Sequence, residues 1–180
     1  VRLSGTVRRP GGTPVVGGRV RLLPSQERVD LDLDSRTGKL IHELRDEHEI
    51  LNPYDLPSKL YACVFSPDGE RVATADQAGR MVIWDVATGE LALSVPATFD
   101  AIRGVCWSPD GGRVAVGCGD DSVRVFDTET GEQLFFNAAH EDWVLGTAFS
   151  TDGSHLLSIS RDRSLKLYLV ESEQFIDNVT

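Results

Sequence analysis

His140, Ser158 and Asp162 supply the residue types of a hydrolase triad, in which a serine attacks, a histidine moves its proton and a carboxylate orients the histidine. The sequence contains no Gly-x-Ser-x-Gly elbow of the kind that presents such a serine in one class of hydrolases. Asp30-Leu-Asp-Leu-Asp34 offers three carboxylates at alternate positions, as a calcium loop does. It lacks the Gly that should follow the third Asp, and Ile41 stands where the bidentate Glu belongs. Strict alternation of Asp with Leu reads instead as a strand with one wet face. Cys63, Cys106 and Cys118 have no paired spacing, so they give neither a disulfide framework nor a zinc site. Each lies in an apolar run, where a thiol packs as a small hydrophobe. The sequence has no His-Glu-x-x-His, no Gly-Lys-Ser/Thr phosphate loop and no Cys-x-x-Cys-His. The reading is no catalytic residue, no cofactor and no metal.

The elements that position these residues follow from a repeat. Phe65-Ser-Pro-Asp-Gly69 recurs as Trp107-Ser-Pro-Asp-Gly111 and as Phe149-Ser-Thr-Asp-Gly153, a step of 42 residues. Trp84-Asp85, Phe126-Asp127 and Tyr168-Leu169 keep the same step. A period of this length, with short strands between turn signals, points to propeller blades. In the middle unit the expected strands are Ile102 to Trp107, Val114 to Cys118, Ser122 to Phe126 and the more polar Glu132 to Phe136. Leu60 to Phe65, Arg71 to Ala75, Met81 to Trp84 and Leu91 to Val95 precede them, and Val144 to Phe149, Leu156 to Ser160, Leu165 to Tyr168 and Gln174 to Ile176 follow. Asp68, Asp110 and Asp152 are expected to be turn residues, each bonding its own backbone two residues on. Inner strands that are nearly all apolar suit a sheet covered on both faces, and a polar fourth strand suits an outer edge. The expected fold is therefore all-β: three four-stranded propeller blades at 45–98, 99–140 and 141–180, and a degenerate partial blade at 1–44. The first of the three carries a Pro-rich excursion, Asn52-Pro-Tyr-Asp-Leu-Pro57.

Charge narrows the partners. The formal net charge is −10, which argues against nucleic acid or an anionic membrane as the main partner. Residues 1–29 hold six Arg and one Glu, so the acidic excess lies in the rest of the chain and reads as a solvated surface. No apolar run reaches the length of a membrane-spanning helix. Asn178-Val-Thr180 fits a glycosylation sequon, a pattern too short to carry a conclusion.

The aromatic-Ser-Pro-Asp-Gly turn, the aromatic-Asp pair and the Thr-Gly before the outer strand resemble the WD-repeat family over residues 45–180. The resemblance implies a buried structural network of a His, a strand Ser or Thr, a turn Asp and a Trp. His140, Ser158 and Asp162 then belong to that network, with Tyr168 in the Trp place, rather than to a triad. Asp120 remains of it in the middle blade, where Val116 and Phe126 replace the Ser/Thr and the Trp. Thr74 and Trp84 remain in the earlier blade, where Ala78 replaces the Asp. Such propellers usually close with about seven blades, so the resemblance also implies remaining blades in the same longer chain.

It further implies a non-catalytic scaffold that holds a protein or peptide on the face opened by the segments before each first strand. The residues there are Asp142 and Trp143, with Arg103 and Tyr61 at the position equivalent to Leu145, and Arg161 beside the turn Asp162. Trp, Tyr and Arg are the types enriched in binding hot spots. A more specific likeness joins His140-Glu-Asp-Trp-Val-Leu145, Ser160-Arg-Asp-Arg163 and Phe175-Ile-Asp-Asn-Val-Thr180 to the propeller portion of large bacterial proteins that also carry c-type haem domains. That likeness implies an exported protein serving a redox assembly; otherwise the default compartment is the cytoplasm. An enzymatic or cofactor-bearing propeller is the third reading, since Ser-Pro-Asp-Gly turns occur in those too.

Overall fold

The computed structural model describes residues 58–171 in full, together with the backbone of a few short strands before them and one strand after them. The early strands are β1 (Val7–Arg8), β2 (Pro14–Val15), β3 (Arg19–Leu22), β4 (Val29–Asp32) and β5 (His42–Leu44). β1 pairs with β2, and β3, β4 and β5 form an antiparallel three-stranded sheet. The first two Asp of the Asp-Leu alternation thus lie on the strand β4. The Pro-rich excursion at 52–57 lies outside the described residues, and so does most of the expected degenerate blade.

Three four-stranded sheets follow, each in simple up-and-down order. The first is β6 (Leu60–Phe65), β7 (Arg71–Asp76), β8 (Arg80–Asp85) and β9 (Leu91–Pro96). The second is β10 (Ile102–Trp107), β11 (Arg113–Cys118), β12 (Val123–Asp127) and β13 (Gln133–Asn137). The third is β14 (Val144–Phe149), β15 (His155–Ser160), β16 (Leu165–Leu169) and β17 (Gln174–Val179). No helix occurs among the described residues. The chain is all-β, and these are three consecutive propeller blades.

The connecting turns are built identically. Ser66 Oγ donates to Asp68 Oδ1 at 2.5 Å, and the same Asp oxygen accepts the Glu70 amide at 2.9 Å. Ser108 with Asp110 and Gly112, and Ser150 with Asp152 and Ser154, repeat the arrangement. These turns give the sheets an acid limit. The Ser108 hydroxyl and the Gly112 amide hold the Asp110 carboxyl below its ordinary range, and the Ser150 hydroxyl and the amide and hydroxyl of Ser154 do the same for Asp152. A carboxylate depressed in the folded state contributes stability that is full above its unfolded value of about 4 and is lost as pH falls through the folded one. The unfolding midpoint should therefore be flat above about pH 5 and fall below about pH 4. Asp152→Asn should make that acid limb shallower; an unchanged limb would mean that the carboxyl titrates alike folded and unfolded.

The core lies between blades. Ala73, Ala75, Met81 and Ile83 of the first blade meet Ile102, Trp107, Val114, Val116 and Phe126 of the second. Ala115, Val123, Val125 and Phe135 of the second meet Val144, Leu156 and Tyr168 of the third. The strands β10 and β14 approach so closely that a Cβ on Gly104 would lie 2.7 Å from the Gly146 Cα. Trp107 Nε1 donates across the first interface to the Val64 carbonyl at 3.1 Å. The other face of the third blade is left wet. Leu157, Leu165 and Leu167 are half-buried there and Ile159 is exposed, whereas the equivalent Ala115, Val123, Val125 and Gly117 are buried.

Two expectations need correction. The outer strands are less polar than their position suggested: Leu91, Leu134 and Phe136 are all exposed apolar residues. The Phe136 ring is covered in part by the Arg124 guanidinium, 5.0 Å from its centroid, so a long charged side chain on the neighbouring strand does the screening. Cys106 is half-buried rather than fully enclosed like Cys63 and Cys118.

Candidate functional site

The expected network of the third blade lies on the face turned toward the second, with Tyr168 in the core between them, whereas Trp84 packs among first-blade residues alone. In the third blade His140, whose side chain is wholly buried, comes from the loop before β14. Its Nδ1 lies 2.8 Å from Asp162 Oδ2 and its Nε2 lies 2.6 Å from Ser158 Oγ. An ionised Asp162 can only accept, so Nδ1 carries its proton toward the turn. Ser158 Oγ is 3.4 Å from the Tyr168 hydroxyl, and Asp162 also accepts the Glu141 amide at 3.0 Å. Burial works against the Asp162 charge, but the Ser164 hydroxyl, the Glu141 amide and the other bonds outweigh it and depress the carboxyl. Burial raises the Tyr168 hydroxyl. Ser158 is 1% exposed, so no substrate could reach its oxygen without opening the blade. The cluster is a clasp between the loop before β14 and the turn after β15.

The other blades keep parts of the clasp that are complete in themselves. Trp84 Nε1 donates to Thr74 Oγ1 at 3.0 Å, with both residues buried. Asp120 accepts from Thr98 Oγ1 at 2.7 Å, as well as from Ser122 and from Arg124. Thr98 stands one repeat before His140 and does the same job with one fewer atom in reach; the 42-residue step was the signal that could have found it. Val116 and Phe126 then need no polar partner and join the apolar core.

A second constellation lies at the mouth of the inner strands. β6, β10 and β14 each carry a register break against the next strand, between Leu60 and Ala62, Ile102 and Gly104, and Val144 and Gly146. The residue inside each break is Tyr61, Arg103 or Leu145. A bulge re-aims one side chain out of the pleat without ending the strand. The Arg103 guanidinium carbon lies 4.6 Å from the Tyr61 ring centroid and 4.3 Å from that of Trp143. Arg161 lies 4.7 Å from the Trp143 centroid. Ring and guanidinium thus alternate through four residues and across three blades. Each contact contributes roughly 0.5–2 kcal/mol, depending on how far water is excluded. Asp142 anchors the far end: its Oδ2 is 2.9 Å from Arg161 Nε, and its Oδ1 accepts the Trp143 amide at 2.8 Å. Trp143 and Leu145 remain exposed, and Phe99, in the loop before β10, is fully so. Phe99 went unnoticed in the sequence because its loop carries none of the repeated landmarks.

This surface combines exposed rings with fixed cations, the residue types enriched where proteins bind one another. Up-and-down four-stranded sheets stacked face to face and clasped by buried polar pairs are blades of a β-propeller. Comparison with known proteins supplies the family. The model of the WD domain, G-beta repeat, matches residues 52–85 and 131–168, and that of the anaphase-promoting complex subunit 4 WD40 domain matches residues 94–145. The chain belongs to the WD40-repeat family. Among solved structures, the WD40 repeats of RRP9 and the structure of U3-55K each superpose with a TM-score of 0.67 at 21% identity, covering 76% of this chain. This chain covers 40% and 41% of theirs. Among curated proteins, the pre-rRNA-processing protein IPI3 of the fungus Mycosarcoma maydis is 33% identical over 84 residues, 41% of this chain. The match spans only 14% of that relative's length. The expected likeness to bacterial haem-carrying proteins is not shown by these relatives, of which the curated one is fungal.

Proposed function

We propose that this chain is a non-catalytic scaffold that holds a protein or peptide partner on the face where Tyr61, Arg103, Trp143 and Arg161 alternate. The observation that carries the reading is the exposed Trp143, fixed between two guanidinium groups at 4.3 and 4.7 Å. A rigid aromatic flanked by cations gives contact area at little cost in side-chain entropy. Asp142 supports the site from beneath by holding Arg161. The net charge of −10 supports a protein partner over nucleic acid or a membrane. Thr74, Trp84, Asp120, His140, Ser158, Asp162 and Tyr168 act as structure, holding the loops that present this face. Blade divisions at 45–98, 99–140 and 141–180 follow the repeat. Further blades of a longer chain are the natural cover for the half-buried Leu157, Leu165 and Leu167.

The description of the fungal relative favours a place in an assembly that matures ribosomal RNA precursors. Two of the three segments that resembled haem-linked proteins have roles without haem, since His140 and Asp162 close a clasp and Trp143 and Arg161 form the face. A photo-crosslinking amino acid placed at position 143 should yield a discrete protein adduct in cells, and one at the outer-strand position 91 should not. Equal labelling at both positions, or none at 143, would place the partner elsewhere.

A further inference from the structure

We propose that Arg103 anchors a carboxylate, and that the partner held on this face presents an acidic peptide segment to it. The inference rests on the reading that this face is a contact surface and adds the chemistry of what it contacts. Arginine keeps its proton under all ordinary conditions, so a half-buried guanidinium needs an oxygen acceptor. The other half-buried arginines among the described residues each have one. Arg71 meets Glu129, Arg80 meets Asp76, Arg124 meets Asp120, and Arg113 donates to the Gly153 carbonyl. Arg103 has none: its Nε is buried and without a hydrogen-bond partner among the described residues.

The surroundings state what the missing acceptor must be. Tyr61 and Trp143 both lie against the Arg103 guanidinium, their ring centroids 4.6 and 4.3 Å from its carbon, and hold it in place. Donors in one plane match the two oxygens of a carboxylate, and a fork already held between rings loses little freedom when it binds. Arg161 adds a second cation one ring away; its Nε is taken by Asp142, but its side chain is 59% exposed and keeps other donors for the partner. Leu145, exposed beside Trp143, offers an apolar contact next to the charged one. The neighbouring turn sets the boundary. Burial, and then the charges of Asp142, Asp120, Asp100 and Asp162, raise the Asp121 carboxyl, so acidic groups are already crowded there. An acidic segment is therefore confined to the run from Tyr61 to Arg161.

Fluorescence anisotropy with the whole chain tests this, using a labelled peptide that contains several Glu and one Leu, its Gln counterpart and its Lys counterpart. The Glu peptide should bind roughly tenfold or more tightly than either counterpart. Arg103→Gln should remove that preference, and Arg103→Lys should lose most of it, because the charge survives but the planar fork does not. Arg71→Gln, which touches Glu129 away from this run, should bind as the parent does. Equal binding of the Glu and Gln peptides to the unsubstituted chain would overturn the proposal, and that arm does not depend on any variant folding. Binding of the Gln or Lys peptide as tight as that of the Glu peptide, and lost in Trp143→Ala, would keep the contact face and overturn the carboxylate. Binding of no peptide, or binding indifferent to Trp143, would remove the face as well.

Discussion

Trp84→Ala should lower the stability of the chain by about 3–5 kcal/mol, the range for truncating a large buried aromatic. Trp84 is 5% exposed and packs with Cys63, Val72, Val82 and Val86. Its loss leaves a cavity in that face of the first blade, because the surrounding strands are fixed by their own ladders and relax only in part. It also removes the donor 3.0 Å from Thr74 Oγ1, which would still reach the Val82 carbonyl at 3.4 Å. Trp84→Phe separates the two effects: it keeps most of the volume and should cost about 1 kcal/mol, the worth of a hydrogen bond of this kind. Guanidinium unfolding with an unchanged slope is the measurement. A midpoint that does not move would take Trp84 out of the core.

Gly79→Ala is expected to cost about 3 kcal/mol or more, from a single added methyl group. Gly79 sits at φ 83°, where a residue with a side chain loses roughly 1–2 kcal/mol. A Cβ there would also lie 2.2 Å from the Thr98 carbonyl oxygen and 2.6 Å from that of Asp100. Both are backbone atoms of the loop that leads into the next blade, and neither can swing aside as a side chain could. The repeat supplies the contrast. Asp121 and Arg163 hold the equivalent positions with φ of 64° and 71°, so the left-handed turn alone is tolerated. Gly112→Ala, at ordinary φ and with nothing nearer than 3.5 Å, should be close to neutral. If Gly79→Ala unfolds with the parent chain, the first two blades do not meet as closely as their loops indicate.

The strands were readable because three uninterrupted copies allow each unit to check the others: Leu60–Phe65, Ile102–Trp107 and Val144–Phe149 fall where the repeat places them. The clasp residues were readable for the same reason, but only as residue types. That Thr98 would take the place of a histidine depends on how near the turn carboxylate comes, and no pattern states that distance. The bulges were not readable at all. Ile102-Arg103-Gly104 looks like a strand interrupted by one charge, and the extra residue appears only when the partner strand is counted against it. Tyr61 and Arg103 are one repeat apart and so were bound to be neighbours. Trp143 is not at the equivalent position, and its ring arrives against Arg103 from the preceding loop. Side chains that meet across units from unlike positions leave no periodic trace.

The three cysteines also make the fold a recorder of its own motions. Burial pushes the Cys63 thiol up to about 11 and, with the Asp120 charge, the Cys118 thiol up to about 12; it raises Cys106 as well. Only the thiolate attacks an alkylating reagent, and at pH 8 a thiol at about 11 is ionised in roughly one molecule per thousand. Modification must therefore wait for a strand to open, and its rate reads the frequency of opening rather than the reactivity of sulfur. Cys63 times the first described blade and Cys118 the second, against the background of the half-buried Cys106, and the third has no cysteine and stays silent.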